Sequence, residues 1–382
     1  MKYQIPQKFQ LSTGNVGLKA SGKDDLLLIV TNSTNSFCTG VFTKNTFVGA
    51  PVLVTKKHLN LTQKTKAILV NAGIANVATG EQGEKDAMMS AENVAKNLGI
   101  KKEEVLIAST GVIGQYLPIN KFLAKIPGLT KKFHNDIEKA ACAIMTTDTF
   151  PKIVQENCGE SVILGITKGS GMIEPNMATT LTFIMTDAQI SNDVLEKKWK
   201  EIVDNTFNMV SVDACESTSD MALVISSNQV KTDDNLFFEK LALVAQKLTK
   251  KIAQDGEGAT KLITVKVSGV KNKNIARAFA KAVVNSDLVK TAIHGQDANW
   301  GRIIAAIGST HFAFDINKLT LKIDQELIFT KGAPVKNFLE KNLFQKKEVV
   351  ISLDFNEGEE SAQAWGCDLS KEYISINGDY RT

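Results

Sequence analysis

Short apolar runs recur along the chain, most of them four to six residues long. They are rich in Val, Ile and Leu and are bounded by Gly, Asn, Asp or Thr, which is typical of β-strands. These runs predict strands at Leu26–Val30, Ala67–Val70, Val105–Ala108, Val162–Ile166, Leu181–Met185, Ala222–Ile225, Ile263–Val267, Leu319–Ile323 and Val349–Leu353.

Longer segments with apolar residues on one face predict helices. Between Glu84 and Leu98 the apolar residues fall on a single helical face, and Gly99 supplies a stop signal. Similar spacing predicts helices from Asn274 to Asn285 and from Val194 to Phe207. Strands and helices do not alternate regularly enough for a doubly wound sheet, so we expect an α/β fold of the mixed α+β kind.

The size and charge of the chain narrow the class of protein. Its 382 residues are 43% hydrophobic, which suits about two core-forming units. The net charge is only +4, and the lysines are scattered rather than gathered with aromatic residues. A nucleic-acid groove concentrates its positive charge on one face, so we expect no nucleic-acid partner.

The cysteines and the N-terminal residues indicate a cytoplasmic protein. Five widely spaced cysteines without a C-x-x-C pair argue against a disulfide framework or a zinc site. We expect buried thiols in a reducing compartment. The opening MKYQIPQKFQ lacks the apolar core of a signal peptide, and no apolar run approaches the ~18 residues of a membrane span.

Most familiar catalytic motifs are missing from the chain. There is no H-E-x-x-H zinc motif, no G-x-S-x-G elbow and no G-x-x-x-x-G-K-[ST] phosphate loop. The four histidines, His58, His134, His294 and His311, have no spacing typical of a triad or a metal cage. We therefore expect no metal ion and a catalytic base other than histidine.

The segment from Lys168 to Leu181, KGSGMIEPNMATTL, places two glycines, a proline and an asparagine between two predicted strands. One interpretation is a long turn in which Thr179 merely opens a strand, as β-branched residues often do. The other is a self-cleaving site, where a threonine hydroxyl attacks the preceding carbonyl and the resulting ester hydrolyses. The freed α-amine, with a pKa near ~7.7–8.0, could then act as the base. The residues alone leave both interpretations open.

A second polar loop, ASTGVIG, follows the strand predicted at Val105–Ala108. Thr110 and Gly111 could present a hydroxyl and a backbone N–H to a developing oxyanion. An ordinary strand-ending turn explains the same residues.

Blocks from near the start to the last residue carry a family resemblance. The chain resembles the glutamate N-acetyltransferase (ornithine acetyltransferase) family of arginine biosynthesis. The segments concerned are KGSGMIEPNMATTLTF, VFTKNTFVGAPV, NAGIANVATG, ASTGVIG, IMTTDTFPK, VSVDACESTSD, DGEGATKLITV, DANWGRI and INGDYRT. The resemblance implies a two-lobed fold, related to that of certain aminopeptidases, with mixed sheets sandwiched by helices.

The resemblance also implies an activity and its site. It implies transfer of acetyl from N-acetylornithine to glutamate, with no cofactor and with acetyl-CoA as a candidate second donor. Thr179, after Ala178, matches the nucleophile and the cleavage site. Thr110 and Gly111 match the oxyanion pair. The positions that match substrate-binding residues are Thr146 or Thr147, Lys168, Thr179, Glu257, Asn377 and Thr382.

Cleavage before Thr179 would divide the chain into residues 1–178 and 179–382. The resemblance implies that the two fragments stay together as an α chain and a β chain in a heterotetramer. Strand Leu181–Met185 is expected to pair with strands of the first fragment, because fragments that remain together must share one core.

Two positions depart from the family pattern. Thr180 stands where methionine is usual, so two adjacent hydroxyls compete for the nucleophile's role; the spacing from Lys168 and Gly171 favours Thr179. Asp213-Ala214-Cys215-Glu216 replaces a more usual Asp-Gly-Asp-Thr-like run and touches none of the residues assigned above. Cys215 lacks a histidine partner in a matching block, which argues against a cysteine nucleophile.

Two other functions compete with acetyl transfer. An aminopeptidase or amidase could use the same self-cleaved threonine, since one fold hosts several activities. The set formed by Lys168, Glu257, Asn377 and Thr382 favours the transferase. An inert relative that no longer cleaves would be expected to lose Thr179 or the pair Thr110-Gly111, and both are present.

Overall fold

The structure is a computed structural model that describes residues 3–174, 180–336 and 343–379. The predicted site residues Ala178, Thr179 and Thr382 lie outside the described residues. Within these ranges the strands are β1 (Phe9–Gly14), β2 (Leu26–Thr31), β3 (Phe37–Phe42), β4 (Ala67–Ile74), β5 (Val105–Val112), β6 (Lys152–Cys158), β7 (Ser161–Lys168), β8 (Leu181–Gln189), β9 (Val210–Ser211), β10 (Met221–Lys231), β11 (Leu262–Val270), β12 (Thr320–Ile323), β13 (Glu326–Thr330), β14 (Ala333–Pro334), β15 (Glu348–Asp354) and β16 (Glu360–Cys367).

Helices follow many of these strands without regular alternation. They are α1 (Ala50–Leu61), α2 (Gly80–Leu98), α3 (Ile119–Leu129), α4 (Ile137–Ile144), α5 (Asn192–Asn205), α6 (Asp234–Gln254), α7 (Lys273–Asn285), α8 (Asp287–His294), α9 (Gly301–Gly308) and α10 (Lys371–Asp379).

In the described part of the chain the strands form three sheets. The first has the order β1-β2-β4-β5, the second β3-β10-β8-β7-β6, and the third β14-β13-β12-β15-β11-β16-β9. Each contains parallel and antiparallel neighbours; in the second, β8 runs parallel to β10 and antiparallel to β7. The prediction of a mixed fold with mixed sheets is confirmed.

The second sheet lies at the centre of the molecule and is buried on both faces. From β8, Phe183 and Met185 join strands of the first sheet in one apolar cluster. Ile184, which points the opposite way, joins residues of α5, α6 and the third sheet in another cluster. Burying each such side chain contributes roughly 1.5–3 kcal/mol. Burial on both faces explains why four of the first five residues of β8 are apolar.

Helices cover the outer faces of the other two sheets. On the first sheet, α2 and α3 pack through residues such as Ala91, Val94 and Phe122. Helix α2 ends as predicted at Gly99, whose φ of 68° suits a residue without a side chain. On the third sheet, Phe279 of α7 stacks on Phe355 with ring centroids 4.5 Å apart.

All nine predicted strands and the three predicted helices are present, with small shifts of their ends. The helix predicted from Val194 to Phe207 spans Asn192–Asn205, and Phe207 begins a short 3-10 turn. The expectation of buried thiols is correct for Cys38, Cys158 and Cys367 but wrong for Cys142 and Cys215, which are exposed. Within the described ranges, no helix has the length and apolar character needed to cross a bilayer.

Candidate active site

A cavity of about 150 Å³ lies where ends of strands from the first and second sheets meet several loops and α10. Seven residues that the sequence assigned to catalysis or binding line it: Thr110, Gly111, Thr146, Thr147, Lys168, Glu257 and Asn377. The other lining residues are Ala75, Ile113, Gly171, Met172, Ile173, Thr180, Asp213, Cys215, Ser217, Thr218, Ser219, Asp220 and Tyr373.

The ends of three adjacent strands form the centre of this site. Lys168 ends β7 and pairs in register with Leu181, which begins β8. On the other side of β8, Met221 of β10 pairs with Leu181, and its N–H donates to the Thr180 carbonyl at 3.0 Å. The expected pairing of Leu181–Met185 with a strand from earlier in the chain is therefore confirmed. Ile173 and Thr180, on the two sides of the predicted cleavage site, both line the cavity.

Thr180 directs its hydroxyl into the protein core. The residue is 1% exposed, and its Oγ1 lies 2.5 Å from Oγ1 of Thr182. Thr182 in turn is 2.7 Å from Oγ1 of Thr167 on the neighbouring strand β7. The Thr180 hydroxyl is thus engaged in a buried chain of three threonines.

The prediction of a polar loop directly after Ala108 is wrong, because β5 continues to Val112, and two glycines shape this end of the strand. Gly111 pairs in register with Gly73 of the parallel strand β4. A Cβ added to Gly111 would lie 2.2 Å from the Gly73 carbonyl carbon, and the Gly111 φ of 128° is rarely adopted by other residues. Thr110, just before it, is buried and lines the cavity. This close approach explains why glycine follows the predicted oxyanion threonine.

Glu257 and Asn377 form another part of the cavity wall. The Asn377 side-chain amide, from α10, donates to Glu257 Oε2 at 2.8 Å. The Glu257 N–H donates to the Ser170 carbonyl at 3.0 Å, which connects this wall to the loop after β7. A Cβ on Gly171 would lie 2.3 Å from Glu257 Oε2, so glycine lets the carboxylate approach the loop.

Lys168 brings a cation into the cavity. The pKa of Lys168 is lowered overall, mainly because the side chain is buried. The carboxylates of Asp148, Asp220 and Glu257 act in the opposite direction, and the nearby Lys152 adds to the lowering. An ammonium flanked by carboxylates suits recognition of a substrate that carries both charges.

Sequence reasoning missed Asp213, which fixes the loop before the predicted cleavage site. Its two carboxylate oxygens accept hydrogen bonds from the N–H groups of Met172 at 2.7 Å and Ile173 at 2.8 Å. Asp213 contacts none of the assigned site residues through these two bonds, but it lines the cavity and holds the loop that follows Lys168. Cys215 also lines the cavity, but burial and the neighbouring Asp213 raise the pKa of its thiol, which disfavours a thiolate nucleophile.

Asp220 was also missed, and its environment is unusual for a carboxylate. It is 4% exposed, lines the cavity, and its Oδ2 makes no hydrogen bond to the described part of the chain. Burial raises its pKa well above the usual value for aspartate, although Lys168 and a hydrogen bond from Ser217 oppose the shift. No local sequence signal marks this residue.

All four histidines fall within the described ranges, and they lie away from the cavity lining. His58, for example, is buried with its Nδ1 2.7 Å from the Val105 carbonyl oxygen, and His294 pairs with Asp368. Among the residues with described positions, no cluster of His, Cys, Asp or Glu suits a metal ion.

Comparison with known proteins gives matches along the whole chain. A sequence profile described as the ArgJ family matches residues 10–382. An arginine biosynthesis bifunctional protein ArgJ from Caldanaerobacter subterraneus is 42% identical over 403 residues, covering 100% of this chain and 98% of the relative. The protein of that name from Staphylococcus epidermidis is 44% identical over 357 residues, covering 90% of this chain and 89% of its own. A solved structure of ArgJ from Bacillus halodurans shares 38% sequence identity with a TM-score of 0.49, covering 52% of this chain and 98% of that chain.

Proposed function

The chain belongs to the ArgJ family and is an acyltransferase of arginine biosynthesis, and from that premise we propose that it transfers acetyl from N-acetylornithine to glutamate. The products are ornithine and N-acetylglutamate. Because the relatives are named bifunctional proteins, we also propose acetyl-CoA as a second acetyl donor to glutamate. We expect the enzyme in the cytoplasm.

One observation carries this proposal: a single cavity contains Thr110, Gly111, Lys168 and Glu257 together with Thr180, the first described residue after the predicted cleavage bond. Both substrates are amino acids that carry a carboxylate. Lys168 is suited to a substrate carboxylate and Glu257 to an ammonium group, because charge-assisted hydrogen bonds are the strong ones. Thr146 and Thr147 line the same cavity, and their hydroxyl groups are candidate neutral donors.

The proposed nucleophile is Thr179, freed by cleavage of the Ala178–Thr179 bond. The neighbouring hydroxyl of Thr180 is buried and hydrogen-bonded to Thr182, which argues against Thr180 as the competing candidate. The location of all four histidines away from the cavity agrees with a base that is not histidine. The α-amine of Thr179 supplies such a base near neutral pH.

The proposed reaction has two halves. The Thr179 hydroxyl attacks the acetyl carbonyl of N-acetylornithine, its proton passes to the α-amine, and Thr110 and Gly111 stabilise the oxyanion. The C–N bond breaks, ornithine takes up the proton and leaves, and the acetyl group remains as an ester on Thr179. The amine of glutamate then attacks the ester, which regenerates the threonine and gives N-acetylglutamate.

The experiment that tests the proposal combines mass spectrometry with kinetics. We expect intact-mass analysis to give two chains, residues 1–178 and 179–382. N-acetylornithine without glutamate should leave an acetylated Thr179 peptide, and double-reciprocal plots should be parallel. Activity should fall at acid pH as the Thr179 amine is protonated. Parallel assays replace the donor by acetyl-CoA, or the acceptor by water to detect an amidase.

Two variants serve as controls for the nucleophile. Thr179→Ala should remain uncut and inactive, whereas Thr179→Ser retains a hydroxyl that can attack. Intersecting lines together with no acetylated Thr179 peptide would indicate direct transfer in a ternary complex instead. Rapid hydrolysis without transfer to glutamate would indicate the amidase activity.

A further inference from the structure

Beneath the cavity lies a buried group of three charges that the proposed reaction does not use. The ammonium of Lys152 is 2.5 Å from Oδ1 of Asp148 and 2.5 Å from Oδ2 of Asp255. The three side chains are 0%, 0% and 2% exposed, in that order. Buried charges are costly unless they are paired and hydrogen-bonded, so the partners of each carboxylate matter.

Asp148 binds two segments that each contribute to the cavity. Its Oδ2 accepts a hydrogen bond from the N–H of Thr146 at 3.0 Å, two residues away. Its Oδ1 accepts one from the N–H of Gly169 at 2.8 Å, directly after Lys168. One carboxylate therefore joins the threonine loop after α4 to the end of β7, where the cavity lysine lies.

Asp255 uses the same kinds of bonds on a different segment. Its carboxylate accepts hydrogen bonds from the N–H and the hydroxyl of Thr149, which does not line the cavity. Its link toward the cavity runs through its backbone carbonyl, which accepts a hydrogen bond from Ser170 Oγ at 2.6 Å. That backbone link does not depend on the Asp255 carboxylate.

We propose that Asp148 is a positioning residue that holds Thr146 and Lys168 at a fixed distance from each other. It also keeps a negative charge beside the Lys168 ammonium. Thr146 and Lys168 together then receive the substrate carboxylate. The inference rests on the proposed function. Lys152 in turn holds Asp148 in place and balances its charge. Asp148 itself does not line the cavity and acts through the two residues it fixes.

The electrostatics support this role. Burial works against the ionised form of Asp148, but Lys152, Lys168 and the Gly169 N–H together hold its pKa below the usual value. Conversely, burial lowers the pKa of Lys168, and Asp148 is the largest of the three carboxylate influences that raise it, followed by Asp220 and Glu257; Lys152 opposes them. Removing the Asp148 charge should therefore let the Lys168 pKa fall further.

Asp148→Asn and Asp255→Asn form a matched pair for the test, because both variants remove one carboxylate charge next to Lys152. The measurement is kcat/KM for glutamate against pH with the purified enzyme, both chains included. In Asp148→Asn we expect the alkaline limb, where Lys168 loses its proton, to move to lower pH. We also expect KM for glutamate to rise on the order of tenfold, as for loss of a charge-assisted contact. The acid limb, set by the Thr179 amine, should stay in place. Asp255→Asn should leave both limbs unmoved.

Asp148→Glu separates charge from geometry. It keeps the negative charge but displaces the carboxylate, so KM should rise while the alkaline limb stays near the wild-type position. This variant also decides the matter if Asp148→Asn fails to fold, because an unchanged KM in Asp148→Glu contradicts positioning.

Equal shifts in Asp148→Asn and Asp255→Asn, or no shift in either, would assign Asp148 a purely structural role. Absence of acetyl transfer in the wild-type enzyme would contradict the proposed function instead, so the two failures are distinguishable.

Discussion

At the scale of single residues, Asp220 is a buried carboxyl kept at some cost to the fold. It lies beside Lys168 in the cavity, yet one of its oxygens has no hydrogen-bond partner among the described residues. Burial raises its pKa well above the usual range. Charging a desolvated carboxyl costs free energy, and groups of this kind cluster at functional sites.

This environment predicts a pH dependence of stability. The pKa of Asp220 is higher in the folded chain than in the unfolded chain. The contribution of Asp220 to the free energy of unfolding is therefore fully present below the unfolded pKa and is lost as pH rises through the folded pKa. We expect Asp220→Asn, which stays neutral, to lack this loss, so the variant should gain stability relative to wild type as pH increases. Denaturant unfolding followed by fluorescence of the buried Trp199 and Trp365 measures the difference.

Ser217→Ala is the comparison variant, because it keeps the Asp220 carboxyl but removes the Ser217 side-chain hydrogen bond that lowers the pKa of Asp220. Its stability should fall at least as much as that of the wild type as pH increases. Parallel curves for wild type and Asp220→Asn would mean that Asp220 titrates alike in both states.

At the scale of secondary-structure elements, the parallel pair β4–β5 brings Gly73 and Gly111 into contact just where the site begins. Gly111→Ala would place a methyl group 2.2 Å from the Gly73 carbonyl carbon on a backbone with a φ of 128°. The end of β5 must then shift, and Thr110 with it. We expect turnover to fall on the order of 10²–10³-fold, as when one oxyanion donor is lost.

Gly114→Ala, just beyond the end of β5, is the matched comparison. Gly114 also has a positive φ, 79°, but an added Cβ there meets no atom within 4 Å. The Gly114→Ala variant should therefore retain most of the wild-type turnover. Similar losses in both variants would indicate general strain in this segment rather than displacement of Thr110.

The elements that sequence patterns predicted are those whose own residues show which positions are buried. Strand β8 is buried on both faces and begins with a mostly apolar run, so its residues alone identify it. Strand β16, ESAQAWGC, begins with polar residues and is held by its pairing with β11, a contact that no local pattern contains. Helix α10 buries none of its residues, so it has no apolar face to detect, although it carries Asn377.

The same distinction separates the predicted site residues from the missed ones. Thr110, Lys168 and Glu257 match positions to which the family resemblance assigns a role, whereas Asp213 stands in a matching segment without an assigned role. Asp213 has its role because it meets the N–H groups of Met172 and Ile173, about forty residues earlier in the chain, and only the fold brings them together. A carboxylate that serves backbone groups has no sequence signature.

At the scale of the whole molecule, the second sheet combines strands from both sides of the predicted cleavage bond. Strands β3, β6 and β7 precede it, whereas β8 and β10 follow it, and the sheet order β3-β10-β8-β7-β6 places β10 and β8 between earlier strands. Separating the fragments would break the ladders β3–β10 and β7–β8 and expose the apolar clusters on both faces.

We therefore expect the fragments of the cleaved enzyme to co-elute under native conditions and to separate only in denaturant. Size-exclusion chromatography with light scattering gives the mass of the complex. A mass of about twice the 41.5 kDa of one chain supports the proposed heterotetramer. A mass near 41.5 kDa would contradict the heterotetramer but leave the pairing of the fragments intact.

The interleaved order of the second sheet also has a consequence for timing. Strand β3 ends at Phe42 and its partner β10 begins at Met221, so this ladder closes only after more than half of the chain has been synthesised. Part of the cavity wall comes from still later segments, namely Glu257 and the α10 residues Tyr373 and Asn377. If cleavage needs this assembled site, each cut bond is a permanent chemical record that one molecule has completed folding. The ratio of cut to uncut chains in a cell extract would then report folding yield directly.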